Sequence, residues 1–219
     1  MDQGLGVSSG RPALRKAEPG VRRRQLIAAT VAVLARKGYA ALTIADVARQ
    51  AGLSAGNVIF HFSSKDALLA AVLTALAAEY RSHWADALGR AGAAPAERLK
   101  TLLLVDFDTH VFTPEKLAAW IAFWGEAQGR PVYEQICTAH DAERRARIEE
   151  LCRALCAEGA YGHAPGLVMH ALDSLGDGLW LALASGGTGH RGRVSAGDAQ
   201  KTIMSALEAF FPRHYPPSG

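Results

Sequence analysis

The feature that most constrains this chain is a four-residue hinge, Ala51-Gly52-Leu53-Ser54, between two short segments of helical pattern. Thr43 stands where it can cap a helix over Ile44 to Ala51, and Ser54 where it can cap another over Ala55 to His61. Gly52 permits the positive φ that a sharp turn between helices demands. Val47, Leu53, Val58 and Phe62 offer apolar faces to lock the angle, and Ala48 is small where the two helices approach. Helix pairs with glycine in the turn are common, so the hinge by itself predicts a helix-turn-helix without a role.

The rest of the chain reads as helix too. Leu26, Ile27, Val31, Val33 and Leu34 recur with helical spacing from Val21 to Lys37, and Gly38 ends that run. Ser64 can cap a long alanine-rich helix from Lys65 towards Leu88. After Gly89, Gly92 and Pro95 come five further helical segments, near 96–110, 114–128, 131–157, 165–185 and 196–211. Pro114, Pro131 and Pro165 sit near their starts, where a missing N–H costs nothing. No period-two run flanked by hairpin signals occurs. The expectation is an all-α protein of about nine helices: an N-terminal three-helix unit with a helix-turn-helix, then a C-terminal helical bundle. The divisions are a tail at 1–20, the first domain at 21–68, the second at 69–212 and a C-terminal tail at 213–219. Gly186 to Arg193 reads as a glycine-rich mobile loop.

Charge divides the chain in the same place. The net +3 is the resultant of +6 over residues 1–70 and −3 over the remainder. A basic first third on an acidic body suits a polyanionic partner, or a merely solvated basic surface. The longest apolar stretches are too short to cross a bilayer and no secretory signal is evident, so no membrane partner is expected. Cys137, Cys152 and Cys156 form no disulfide framework, which fits a cytoplasmic protein.

The block Thr43 to Leu69, TIADVARQAGLSAGNVIFHFSSKDALL, resembles the TetR family of repressors. The resemblance covers residues 22–75 strongly. It implies a double-stranded operator as partner, with the third helix in the major groove. Ala55, Gly56 and Asn57 would lie nearest the bases. Asn57 alone carries an amide suited to adenine, and Ile59 and Phe60 could touch a thymine methyl. Thr43, Ser54, His61 and Lys65 match family positions that hold phosphates, and Arg22, Arg23 and Arg24 would add an arm to the adjacent backbone or minor groove. Thr43, Ser54 and Ser64 also serve as caps with or without DNA. Relatives often carry Tyr where this chain has Ile59, which leaves the base contacts open.

The stretches 117–136 and 175–186 resemble the BetI branch of that family, the choline-responsive repressors of glycine-betaine synthesis. The physical reading of the same residues is independent of that likeness. Trp120 and Trp124 are four apart and share a helix face; Asp177 and Trp180 are three apart on a later helix. Phe123 flanks the first pair, and Asp106 and Phe107 lie on the helix before. Aromatic faces with a carboxylate are what a quaternary ammonium needs. Ordinary core packing of the rings explains the spacing equally well, and a hydrophobic effector of an efflux or catabolic regulator is the alternative.

Ala171, Ser174 and Gly178, small residues in the penultimate helix, together with Ile203, Met204, Leu207 and Phe210 in the last, are the expected homodimer face. The TetR resemblance implies a four-helix interface there, and two recognition helices about 34 Å apart would fit one side of a palindrome. Enzyme chemistry finds no support. Asp106, Asp108 and His110 are two apart and point away from one another on a helix, and no nucleophile elbow, P-loop or dinucleotide fingerprint occurs. No metal and no cofactor are expected.

Overall fold

The computed structural model describes residues 18–109, 112–127, 129, 131–184 and 194–217, and these contain nine α-helices, one 3₁₀ turn and no strand. The tail at 1–17, the loop at 186–193 and His110 lie outside them. The first helix, α1 (Pro19–Ala41), opens on a proline and begins two residues earlier than its apolar pattern suggests. Gly38 interrupts it with φ 75° and ψ 175°, a conformation reserved in practice for glycine, and so turns Tyr39 inward.

The next three helices start on the caps read from the sequence. Thr43 Oγ1 accepts the Asp46 N–H ahead of α2 (Ile44–Ala51), Ser54 Oγ the Asn57 N–H ahead of α3 (Ala55–Phe62), and Ser64 Oγ the Ala67 N–H ahead of α4 (Lys65–Arg90). Gly52 closes α2 in the left-handed conformation at φ 66°. Val47, Val58 and Phe62 are buried and hold α2 and α3 together against α1 and α4.

At 26 residues α4 is about 39 Å long and belongs to both halves of the molecule. Leu68, Leu69, Val72, Leu73 and Leu76 enter a core shared with α1, α2 and α3, while Trp84 and Leu88 enter a second core. That second core is built with α5 (Pro95–Leu104), the 3₁₀ turn Val105–Phe107, α7 (Pro131–Glu158), α8 (Pro165–Ala184) and α9 (Ala196–Phe210). Between the two lies α6 (Pro114–Ala127). Its Ala119 and Phe123 are buried in the first core, which makes α6 the main neighbour of α1.

Ile203 and Leu207 do not serve a subunit face. Both are wholly buried in the second core of their own chain, because the apolar stripe of α9 is consumed in holding that helix on α5 and α8. Met204 and Phe210 are half-buried at the edge of the same core. Residues past α9 fold back: Tyr215 is buried and donates to the Ala96 carbonyl, and the Arg213 guanidinium donates to that of Gly159. α8 is long and apolar enough to cross a membrane by composition; here its Val168, Met169 and Leu172 are packed in the second core.

Candidate functional site

Two places carry chemistry, the outer face of α3 and a cavity enclosed by α4, α6, α7 and α8. On α3 the burial pattern divides the helix cleanly. Val58 and Phe62 face inward, while Ala55, Gly56, Asn57, Ile59 and Phe60 are exposed, Phe60 to 81%. So large an exposed ring beside Ile59, on a short helix anchored by the opposite side, is a surface built to meet something. Asn57 Nδ2 donates to Ser54 Oγ at 2.9 Å, which orients the amide and leaves one N–H and the carbonyl oxygen outward.

Cationic and hydroxyl groups surround this face. Lys65 lies at the start of α4, its ammonium 5.6 Å from the centre of the Tyr39 ring and 3.5 Å from the Tyr39 carbonyl oxygen. The His61 ring meets Phe60 edge-on. Arg22, Arg23 and Arg24 sit on the early turns of α1, not on an extended arm. Arg22 donates to Gln25; Arg23 stacks on Phe62 at 4.4 Å and donates to the His61 carbonyl, tying α1 to the end of α3. Behind α2, Asp46 receives hydrogen bonds from Lys37 and Thr43, which hold its carboxyl down to about 2. That inward carboxylate fixes α2 against α1, and the sequence reading passed it over.

The cavity measures about 490 Å³. One wall is aromatic. Trp124 and Trp180 meet at 4.9 Å between centroids, and Trp120 and Phe112 meet Trp180 edge-on at 6.5 and 5.9 Å. Trp120 and Trp180 are buried; Trp124 is 40% exposed and gives the wall its open edge. The opposite end is a buried ion network. Arg144, 7% exposed, pairs with Asp106 and, at 3.0 Å, with Asp173, and also donates to the Leu102 carbonyl. Arg145 takes the other Asp173 oxygen at 2.6 Å, and the Tyr80 hydroxyl donates to Asp106 at 2.9 Å. Burial pushes the Asp106 carboxyl up, against the pull of Arg144 and Tyr80.

Asp177 lies on the cavity wall near Arg144 and Arg145 and, among the described residues, makes no hydrogen bond or ion pair. Partial loss of solvent and the neighbouring Asp173 carboxylate lift its carboxyl to about 6, despite Arg144 and Arg145. A carboxylate left without a partner beside aromatic rings favours a cation. Cys137 also faces the cavity, but burial raises its thiol to about 11, so it is not a thiolate.

Asp106, Trp120, Trp124, Asp177 and Trp180 thus share one cavity. Phe123 and Phe107 do not reach it. Phe123 is 1% exposed and packs edge-on against Tyr39 and Tyr133 in the first core, because it projects from α6 about 100° away from Trp124. Phe107 is consumed in the second core. The residues not foreseen are Arg144, Asp173, Tyr80 and Phe112. Arg144 had a signal: it falls four residues before Ile148 and seven before Leu151, in register with the buried stripe of α7. Among the described residues no group of side chains could hold a metal ion.

Comparison with known proteins decides between these chemistries. Residues 26–72 match the model of the bacterial regulatory proteins of the tetR family, and residues 95–212 that of the BetI-type transcriptional repressor C-terminal domain. This chain belongs to the TetR family, in its BetI-type branch. The HTH-type transcriptional regulator BetI of Rhizobium meliloti is 34% identical over 155 residues, covering 67% of this chain and 76% of its own. That of Agrobacterium fabrum is 33% identical over 173 residues, covering 75% and 84%. Among solved structures, a transcriptional regulator of Pseudomonas aeruginosa PAO1 superposes with a TM-score of 0.77 at 25% identity, over 92% of this chain and 98% of that one. A regulator of Saccharomonospora viridis in complex with choline superposes with a TM-score of 0.75 at 22% identity, over 86% and 96%; at that identity the likeness speaks for the fold.

The BetI-type regulator is therefore a DNA-binding transcriptional repressor of the one-component kind, and its relatives are regulators, not enzymes. The exposed face of α3 is the second helix of its helix-turn-helix, and the cavity lies within the span of the BetI-type C-terminal match apart from Tyr80.

Proposed function

We propose that this TetR-family protein binds a palindromic operator as a cytoplasmic homodimer and releases it when a quaternary ammonium cation, choline or a close relative, enters the cavity. The observation that carries the effector class is Asp177, an unpaired carboxylate beside the wall of Trp124 and Trp180. Ring faces attract a cation with no hydrogen-bond donor through their quadrupole, and the carboxylate neutralises it. The choline bound by the Saccharomonospora viridis regulator of the same fold supports this class.

On the DNA side, Asn57 reads a base edge with its outward amide, Ala55 and Gly56 let α3 approach the groove floor, and Ile59 and Phe60 contact thymine methyls. Thr43, Ser54, His61 and Lys65 hold phosphates at the ends of α2, α3 and α4, assisted by the arginines of α1. The dimer face is the outer side of α8. Leu167, Ala171 and Ser174, exposed and four and three residues apart, form one stripe, which Gly178 continues to the edge of the cavity. Leu167 is 71% exposed, an apolar side chain that a second copy would cover.

Effector and operator communicate through α6. One side of that helix carries Trp120 and Trp124 to the cavity, and the other carries Ala119 and Phe123 into the core beneath α1. A cation that binds better to one position of α6 shifts α1, and with it the setting of α3, by its differential affinity, typically ~1–3 kcal/mol. The test is operator binding to the upstream region of the protein's own gene, titrated with choline, betaine and a lipophilic neutral compound. Release by choline alone is expected. Release by the neutral compound with choline inert would replace the cation by a hydrophobic effector.

A further inference from the structure

The cavity is larger than a small cation requires. At roughly 30 Å³ per heavy atom, choline fills about 200 Å³, against about 490 Å³ here. The space is elongated. Glu134, Thr138, Asp141 and Arg145 line it from a single stripe of α7, so that wall runs about 16 Å.

Among the described residues its lining is richer in carboxylates, Asp106, Glu134, Asp141, Asp173 and Asp177, than in guanidiniums, Arg144 and Arg145. The guanidiniums are committed to Asp106 and Asp173 at the inner end. That pairing gives one point of contact between α7 and α8, and Asp141 and Asp177, which interact across the same wall, give a second. From the Arg144–Asp173 contact, α8 rises through Asp177 to Trp180 while α7 runs back through Asp141 and Cys137 to Glu134. Asp177 therefore lies near the level of Asp141. Glu134, exposed and without a hydrogen bond or ion pair, stands about two helical turns, or roughly 10 Å, further out. Trp120, Trp124 and Trp180 line the same cavity.

We infer that beyond choline the cavity also takes, and holds more tightly, a linear dication, one charged end against Trp180 and Asp177 and the other beside Glu134 at the rim, with an apolar linker along Trp124. This rests on the cation reading above and extends it. A second cationic centre turns the surplus carboxylate at the rim into a contact, and a hydrocarbon linker covers the half-exposed Trp124 ring.

The experiment compares three probes by calorimetry on the full chain: choline; hexyltrimethylammonium, one charge on a hexyl chain; and hexamethonium, two trimethylammonium heads on a hexane chain. Hexamethonium is expected to bind about five- to tenfold more tightly than hexyltrimethylammonium, the joint effect of a rim ion pair and a cation–ring contact. Glu134→Gln, a change at an exposed position, is expected to abolish that advantage, so that the two long probes bind alike. Equal affinity of the two long probes in the unaltered protein overturns the second charged end, as does an advantage that survives Glu134→Gln. Failure of all three probes to bind, with operator binding intact, removes the cation reading itself.

Discussion

Asp177 gives the cation reading a pH dependence that can be worked out in advance. Its carboxyl is lifted from the ordinary 3.8 to about 6, chiefly by desolvation and then by Asp173. The groups facing it are Asp173 on its own helix and Asp141, Arg144 and Arg145 on α7. The two arginines stay charged throughout the range concerned. A cation that needs the ionised form binds with an apparent Kd that grows by the fraction protonated. Near pH 7.5 almost all of Asp177 is ionised and the correction is negligible. One unit below its pKa, about a tenth is ionised and binding is about tenfold weaker.

Calorimetric titration of choline at pH 7.5 and pH 5 is the assay, with Asp177→Asn as control. The variant should bind at pH 7.5 at least as weakly as the unaltered protein does at pH 5, and should lose most of the pH dependence. Any dependence left in it belongs to the other acids of the wall, Asp106 first. Stability has the opposite sign. The folded form holds the proton more tightly than the unfolded one, so this group's contribution falls as pH rises from about 4 to about 6. Without ligand, Asp177→Asn should therefore melt higher than the parent at pH 7.5. A flat profile in the parent, or an undiminished tenfold drop in the variant, would refute the assignment.

Four further outcomes follow from other parts of the structure. Gly38→Ala should destabilise the protein by about 1–3 kcal/mol in urea, because φ 75° with ψ 175° strains any L side chain although nothing crowds the position. Tyr133→Phe and Tyr39→Phe should each cost about 0.5–1.5 kcal/mol by removing the 3.0 Å hydrogen bond between the two buried hydroxyls, and the double change should cost less than the sum; additive single losses would deny the pairing. Lys65→Ala should weaken all duplexes about evenly and flatten the salt slope by about one unit, read by fluorescence anisotropy, whereas a loss confined to one sequence would make Lys65 a base reader. Leu167→Glu should shift sedimentation from dimer to monomer; an unchanged dimer moves the interface off the outer face of α8.

What the sequence disclosed is what short-range geometry decides. A serine or threonine three residues ahead of a free N–H caps a helix wherever the chain goes next, so Thr43, Ser54 and Ser64 marked three helix starts correctly. Gly52 was legible for the same reason, since a left-handed closing residue is a local demand. Arg144 was not, because its partners Asp106 and Asp173 lie 38 and 29 residues away. Nor was the fate of α9. Its stripe of Ile203 and Leu207 predicts burial against something, and periodicity cannot tell a neighbour in the same chain from a second copy.

The hardest distinction was between adjacent residues of α6. Phe123 and Trp124 look interchangeable in sequence, yet successive side chains on a helix diverge by about 100°, and here that angle separates the core under α1 from the ligand cavity. The same divergence suits α6 to the role proposed for it. A helix with Trp124 against the cavity and Phe123 against Tyr39 cannot rotate or slide to accommodate a ligand without moving the ring that supports α1. Tyr39 in turn holds Lys65 at the edge of the DNA-binding face through its carbonyl and its ring. Three contacts, each within packing distance, therefore join the cavity to a proposed phosphate ligand. Since core side chains repack between discrete arrangements more readily than they deform, the proposed release would carry a small shift at Trp124 to Lys65 as a change of position.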